Sequence, residues 1–141
     1  MLESYHRKRA RRVAAKTAAR PTHRQIVGRR AEDVAVEFLR SQGHEILFRN
    51  YRRRLGELDI VARLGAELII VEVRSRASDR FGGAAASVDR RKQQRLIRTA
   101  SLLLQSHRDL ARCRARFDVI VVSSPEAQRP AIQWIRHAFL T

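Results

Sequence analysis

The chain has 141 residues, 44% of them hydrophobic, and 30 lysines and arginines against 14 acids give a formal net charge of +16. That size suits one domain with an ordinary core, and no stretch has the length or apolarity to span a bilayer. The charge far exceeds what solubility requires, so a polyanionic partner is expected, nucleic acid ahead of an anionic membrane surface.

Residues 1–24 read as a basic tail. Arg7-Lys8-Arg9, Arg11-Arg12, Lys16, Arg20 and Arg24 face only Glu3, alanines are interspersed, and Pro21 closes the run. Such a tail either adds salt-sensitive phosphate contacts or is a solvated extension with no specific role. Residues 25–141 read as a single α/β domain. The spacing of Ala31, Val34, Ala35, Phe38 and Leu39 predicts a helix from Gly28 to Ser41, ended by Gly43. Glu32 near its start either joins an acidic cluster or complements the helix N-terminus. His44 to Tyr51 follows as a first strand, and His44 has no evident partner. Arg49, Arg52, Arg53 and Arg54 then crowd the approach to the next segment, suited to a phosphate backbone or simply an exposed basic loop.

The stretch Leu55 to Arg76 organises the rest. Glu57 to Ala62 and Leu68 to Arg74 are aliphatic and β-branched, with a turn at Gly65-Ala66. A hairpin turning there sets Asp59 opposite Glu72 and Glu57 opposite Arg74. Asp59, Glu72, Glu57, Arg74 and Arg76 then share one face, and Leu58, Ile60, Ile69, Val71 and Val73 share the other. Two carboxylates side by side repel, so the pair needs a cation, a shared proton or nearby bases. A hard divalent cation on oxygen ligands suits it, and so does plain neutralisation by Arg74 and Arg76. A slip of one residue would separate the acids.

Ala77 to Ser87 is a small-residue loop with Gly82-Gly83, lacking the spacing of a nucleotide-binding loop. Val88 to Ser106 reads as a long helix with Leu96, Ile97, Ala100, Leu103 and Leu104 buried. Arg90, Arg91, Lys92, Gln93, Arg95 and Arg98 give its first half a basic, amide-bearing surface suited to phosphate. Arg116 to Ser123 is a central buried strand, and Ala131 to Ala138 a final edge strand or short helix anchored by Trp134. The lone Cys113 cannot form an internal disulfide, which agrees with a reducing compartment, and without an apolar leader a cytoplasmic location is expected. The five histidines are scattered, so no zinc site is expected.

Gly56-Glu57-Leu58-Asp59-Ile60-Val61-Ala62 followed by Val71-Glu72-Val73-Arg74-Ser75-Arg76 resembles the signature of the bacterial YraN-like proteins. That family is similar to Holliday-junction resolvases within the PD-(D/E)XK nucleases. The likeness extends to Gly28–Ala35 with Glu32, to Phe81-Gly82-Gly83, to Val88–Leu96 and to Arg116–Ile120, covering roughly residues 25–137. It implies a restriction-endonuclease-like core, with a mixed central sheet flanked by helices. It also implies a metal-dependent endonuclease on which Asp59 and Glu72 hold one or two Mg²⁺ or Mn²⁺ ions and Glu32 is a further catalytic acid and candidate ligand. Arg74 stands where the pattern has lysine. Arginine supplies charge and hydrogen bonds but cannot in practice release a proton, and Lys92 on the long helix is a substitute source of an ammonium.

Arg53, Arg54, Arg76, Arg91, Lys92 and Gln93 are the expected nucleic-acid contacts, with DNA favoured over RNA and, from the resolvase likeness, a homodimer on branched substrates. Two other readings remain: a nuclease-fold module that binds DNA or RNA without cleaving it, and a basic RNA- or ribosome-associated protein acting through its tail.

Overall fold

The first helix starts earlier than its apolar stripe, at a cap just after Pro21. The side chain of Thr22 accepts from the backbone N–H of Gln25 at 3.2 Å, and the Gln25 carboxamide accepts from the N–H of Thr22 at 2.9 Å. This reciprocal capping box fixes the start of α1, His23–Ser41. Glu32 is therefore mid-helix, and the reading of it as a charge at a helix N-terminus is excluded. Gly43, at φ +88°, reverses the chain after the helix. The computed structural model describes residues 19–77 and 87–140. Positions 1–18 of the expected tail and the Gly82-Gly83 loop lie outside them.

The following elements are β1 (Glu45–Arg53), β2 (Gly56–Leu64), β3 (Glu67–Arg76), α2 (Arg90–Ser106), β4 (Arg114–Ser123) and β5 (Ala131–Phe139). The strands form one five-stranded sheet in the order β1-β2-β3-β4-β5. All neighbours are antiparallel except β3 and β4, which run parallel with α2 between them in sequence. The protein is thus an α/β structure with a mixed sheet. The last segment is the edge strand, not a helix.

A helix covers each face. Ala31, Ala35, Val36 and Leu39 of α1 pack on Ile60, Ala62, Ile69, Val71, Ile120 and Val122. Leu96, Ala100 and Leu103 of α2 pack on Leu58, Val61, Leu68, Ile70, Val119 and Val121. Leu58 therefore departs from the strict alternation that groups it with Ile60. A backbone irregularity on the neighbouring strand lies beside this departure. Asn50 on β1 has φ +51°, between the paired positions Arg49↔Ile60 and Tyr51↔Leu58. Beyond it, Tyr51 and Leu58 both turn to the α2 face, and Asp59 sits at the switch.

One buried charge is purely architectural. Asp118, 1% exposed in the middle of β4, accepts from Arg116 Nε at 3.1 Å, Trp134 Nε1 at 2.8 Å and the N–H of His137 at 3.0 Å. Arg116 also reaches Glu67. Trp134 in turn meets Phe38 and His44 edge-on, with centroids at 5.7 and 5.6 Å. His44 is buried, so its place is structural.

Candidate active site

The site lies where β2 and β3 part. Their ladder runs from Leu64↔Glu67 to Ile60↔Val71, the register that a turn at Gly65-Ala66 dictates. Asp59 and Glu72 are the next residues. The N–H of Val73 donates to Asp59 Oδ2 at 2.9 Å, so the Asp59 carboxyl caps the end of the ladder. The neighbouring Glu72 carboxyl favours the protonated form of Asp59, both by its charge and as a side-chain partner. Glu57 does not meet Arg74. It pairs with Arg52 across the β1–β2 ladder, at 3.3 Å.

Burial, then the charge of Glu72, push the Asp59 pKa up to about 8, against the opposing pull of the Val73 N–H. Glu32 adds a further upward push, which places α1 within electrostatic reach of the pair. Burial raises Glu32 itself, partly offset by a hydrogen bond with Asn50 and the charge of Arg49. Both other acids named from the sequence, Glu72 and Glu32, thus act on Asp59.

Two cations meet Glu72, whose side chain is 6% exposed. Lys92 Nζ lies 2.5 Å from Glu72 Oε1, and Arg74 Nε lies 3.6 Å from the same oxygen. The second distance is ionic but too long for a hydrogen bond, and Arg74 Nε is buried without a hydrogen-bond partner.

A cavity of about 620 Å³ opens over this pair. Asp59, Glu72 and Glu57 contribute acid to its lining. Arg52 and Arg53 at the end of β1, Arg54 in the turn after it, and Lys92 and Arg95 from α2 contribute base. Arg53 is steadied by its position over the Tyr51 ring, 4.2 Å from the centroid. Gly56 sets how closely the two walls approach. A Cβ there would stand 2.9 Å from Thr99 Oγ1 on α2.

The other expected contacts fall elsewhere. Arg76 lines a second cavity with His23, Ser75 and Ser124. Arg91 is exposed on α2 outside the acid cavity. Gln93 spends its amide on the Val88 carbonyl at 2.7 Å, bracing the start of α2. Arg52 and Arg95, expected only as members of broader basic surfaces, line the acid cavity itself, and Asn50 was not expected near the site at all. Asn50 was invisible because its role is a positive φ inside a strand, whereas Arg95 follows Lys92 by about one helical turn and shares its face.

A buried pair of carboxylates, one of them pushed toward its protonated form by burial and by the charge of the other, is oxygen-donor chemistry fitting a hard divalent cation. Asp59 and Glu72 are the residues that could hold it. Among the described residues no group of three or more His, Cys, Asp or Glu forms a complete ligand set, so other ligands would come from substrate and solvent.

The family model described as "Uncharacterised protein family UPF0102" matches residues 31–122. The chain belongs to this family. A UPF0102 protein of Methylococcus capsulatus is 46% identical over 117 residues, covering 83% of this chain and 93% of its own. UPF0102 proteins of Nitrosomonas europaea and Pseudomonas aeruginosa are 46% and 45% identical, each covering 79% of this chain and 92% and 90% of their own. The UPF0102 match spans α1 to β4, and so contains every residue of the acid pair and its cations. It bears out the family-level resemblance read from the motifs. No helix among the described residues is long and apolar enough to cross a membrane.

Proposed function

We propose that this UPF0102 protein is a metal-dependent phosphodiesterase acting on nucleic acid, built on a restriction-endonuclease-like core. The observation that carries the reading is the side-by-side placement of Asp59 and Glu72 in the lining of a cavity bordered by arginines and a lysine. An anionic substrate suits that border, and a cation suits the pair.

When bound at Asp59 and Glu72, Mg²⁺ or Mn²⁺ supplies Lewis-acid polarisation of the phosphodiester and of the attacking water. Glu32 adds negative potential from α1. Arg52, Arg53, Arg54 and Arg95 hold the phosphate backbone, Arg by fork-like hydrogen bonding. Arg74 and Lys92 offset the charge that grows on the phosphoryl oxygens. In the reaction a water oxygen bonds to phosphorus and one phosphorus–oxygen ester bond breaks. The electron pair leaves with the departing oxygen, and the proton lost by water ends on that oxygen or in solvent. By the resolvase likeness, branched DNA is the preferred substrate and a homodimer the working form.

The test is cleavage of linear, flapped and four-way DNA and matched RNA with Mg²⁺ or Mn²⁺, beside Asp59→Asn. Cation-dependent cutting that the substitution abolishes supports the reading. A second reading rests on the ion pair of Lys92 with Glu72, which neutralises that acid without any metal. In it the protein binds nucleic acid and does not cut. Binding to the same panel without cleavage, and without any effect of Mn²⁺ on the melting temperature, would put it ahead.

A further inference from the structure

The chain has three lysines, Lys8, Lys16 and Lys92, against a great excess of arginine. Only Lys92 lies among the described residues, and its ammonium points into the acid cavity, 2.5 Å from Glu72 Oε1. The start of α2 is built to hold it there. Its own N–H donates to Asp89 Oδ1 at 2.8 Å, the N–H of Gln93 donates to Asp89 O at 2.9 Å, and Gln93 Nε2 donates to Val88 O. The close approach of α2 to Gly56 brings that anchored turn over the parted ends of β2 and β3.

The strand cation is placed less well. Arg74 Nε stands 3.6 Å from the same carboxylate oxygen and makes no hydrogen bond. A guanidinium is planar and fixed in its donor directions, whereas an ammonium is compact and has three rotatable donors. One N–H of Lys92 given to Glu72 leaves two for a phosphoryl oxygen in the same cavity. We propose that Lys92, carried on the helix, is the catalytic ammonium of this site: it positions Glu72 and donates to the scissile phosphate, while Arg74 on the strand contributes charge alone. The assignment rests on the phosphodiesterase reading. It deepens that reading by moving the key cation from β3 to α2.

The experiment compares wild type, Lys92→Met, Arg74→Met and Asp59→Asn for cleavage at saturating Mn²⁺, and for Mn²⁺ binding by calorimetry on the protein alone. Lys92→Met should lower kcat by ~10²–10³-fold, the range for removing one oriented donor to transition-state charge, with little change in KM. Arg74→Met should cost less than tenfold. Mn²⁺ should bind Lys92→Met at least as tightly as wild type, because the ammonium no longer competes for Glu72. Lys92→Cys in a Cys113→Ser background gives a second arm. Alkylation with 2-bromoethylamine rebuilds an ammonium of nearly the lysine length and should restore cleavage to within a few-fold, which a merely structural role would not produce. Lys92→Met cutting within threefold of wild type while Asp59→Asn is dead overturns the assignment and leaves the phosphodiesterase reading standing. Failure of aminoethylation to restore the Cys variant also overturns it. No cleavage by wild type on any substrate overturns both.

Discussion

Asp59 is a carboxyl kept neutral by its surroundings, and its free energy runs against its chemistry. Its folded pKa of about 8 lies above the ordinary 3.8. The folded chain therefore holds a proton that the unfolded chain releases, so this group favours folding most below pH 3.8 and its contribution drains away as pH rises to about 8. Asparagine mimics the protonated acid: its carbonyl can accept from Val73 and its amide can donate to Glu72. Asp59→Asn should flatten that part of the stability profile and raise Tm at pH 9, by ~3 °C for each kcal/mol recovered, while cleavage falls by orders of magnitude. A thermal melt series from pH 4 to 9 checks it, and an unchanged slope would remove the proton from the site. The same proton must leave before a cation binds. Millimolar Mn²⁺ should therefore raise the wild-type Tm more at pH 8 than at pH 6, and should do little to Asp59→Asn. Asp118 has the opposite character. Its carboxylate is satisfied by Arg116, Trp134 and His137. Removing it leaves Arg116 Nε, Trp134 Nε1 and the His137 N–H without their acceptor, although Arg116 keeps Glu67, so Asp118→Ala should cost ~3–5 kcal/mol in urea denaturation.

At the scale of elements, the decisive contact is α2 against the start of β2. Gly56→Ala would bring a Cβ to 2.9 Å from Thr99 Oγ1, too close to hold without moving the helix that carries Lys92. Thr99 is fully buried and its hydroxyl only back-bonds to Arg95 O at 2.8 Å, so its oxygen is dispensable. Gly56→Ala alone should lower both stability, by ~1–3 kcal/mol as overpacking does, and cleavage. Adding Thr99→Ala should recover most of each, and a strictly additive double mutant would show that the clash does not govern the site. This packing also marks what could be read beforehand. The hairpin register followed from Gly65, whose positive φ of 59° makes the turn, and with it the approach of Asp59 to Glu72. The earlier start of α1 lay outside the apolar stripe used to place it, although Thr22 and Gln25 have capping-box spacing. The switch at Asn50 was not legible, because a positive φ in an asparagine has no periodic signature. Nor was the aim of Lys92. Helical spacing fixes which residues share a face but not how the helix is set down on the sheet, and that depended on one glycine.

For the whole molecule the question is where the charge acts. Residues 1–18 contain six of the basic side chains and one acid, so the remainder still carries a formal +11. Four of its arginines, Arg52, Arg53, Arg54 and Arg95, border the acid cavity. If duplex DNA is gripped there, log affinity should fall linearly with log salt at ~0.9 per phosphate neutralised. Deleting residues 1–18, which spares the Thr22 cap, should reduce that slope by at most ~5, because each lost contact removes about 0.9. Binding at low salt should persist. Arg53→Ala with Arg54→Ala removes fewer charges, and should reduce the slope by at most ~2. Yet it should depress cleavage more than the deletion does, since these side chains stand beside Asp59 and Glu72. Fluorescence anisotropy from 50 to 300 mM salt, paired with cleavage rates, separates the two effects. If the deletion abolishes binding while the double alanine does nothing, the charge works through the tail, as in a basic RNA- or ribosome-associated protein, and the cavity is not where nucleic acid is held.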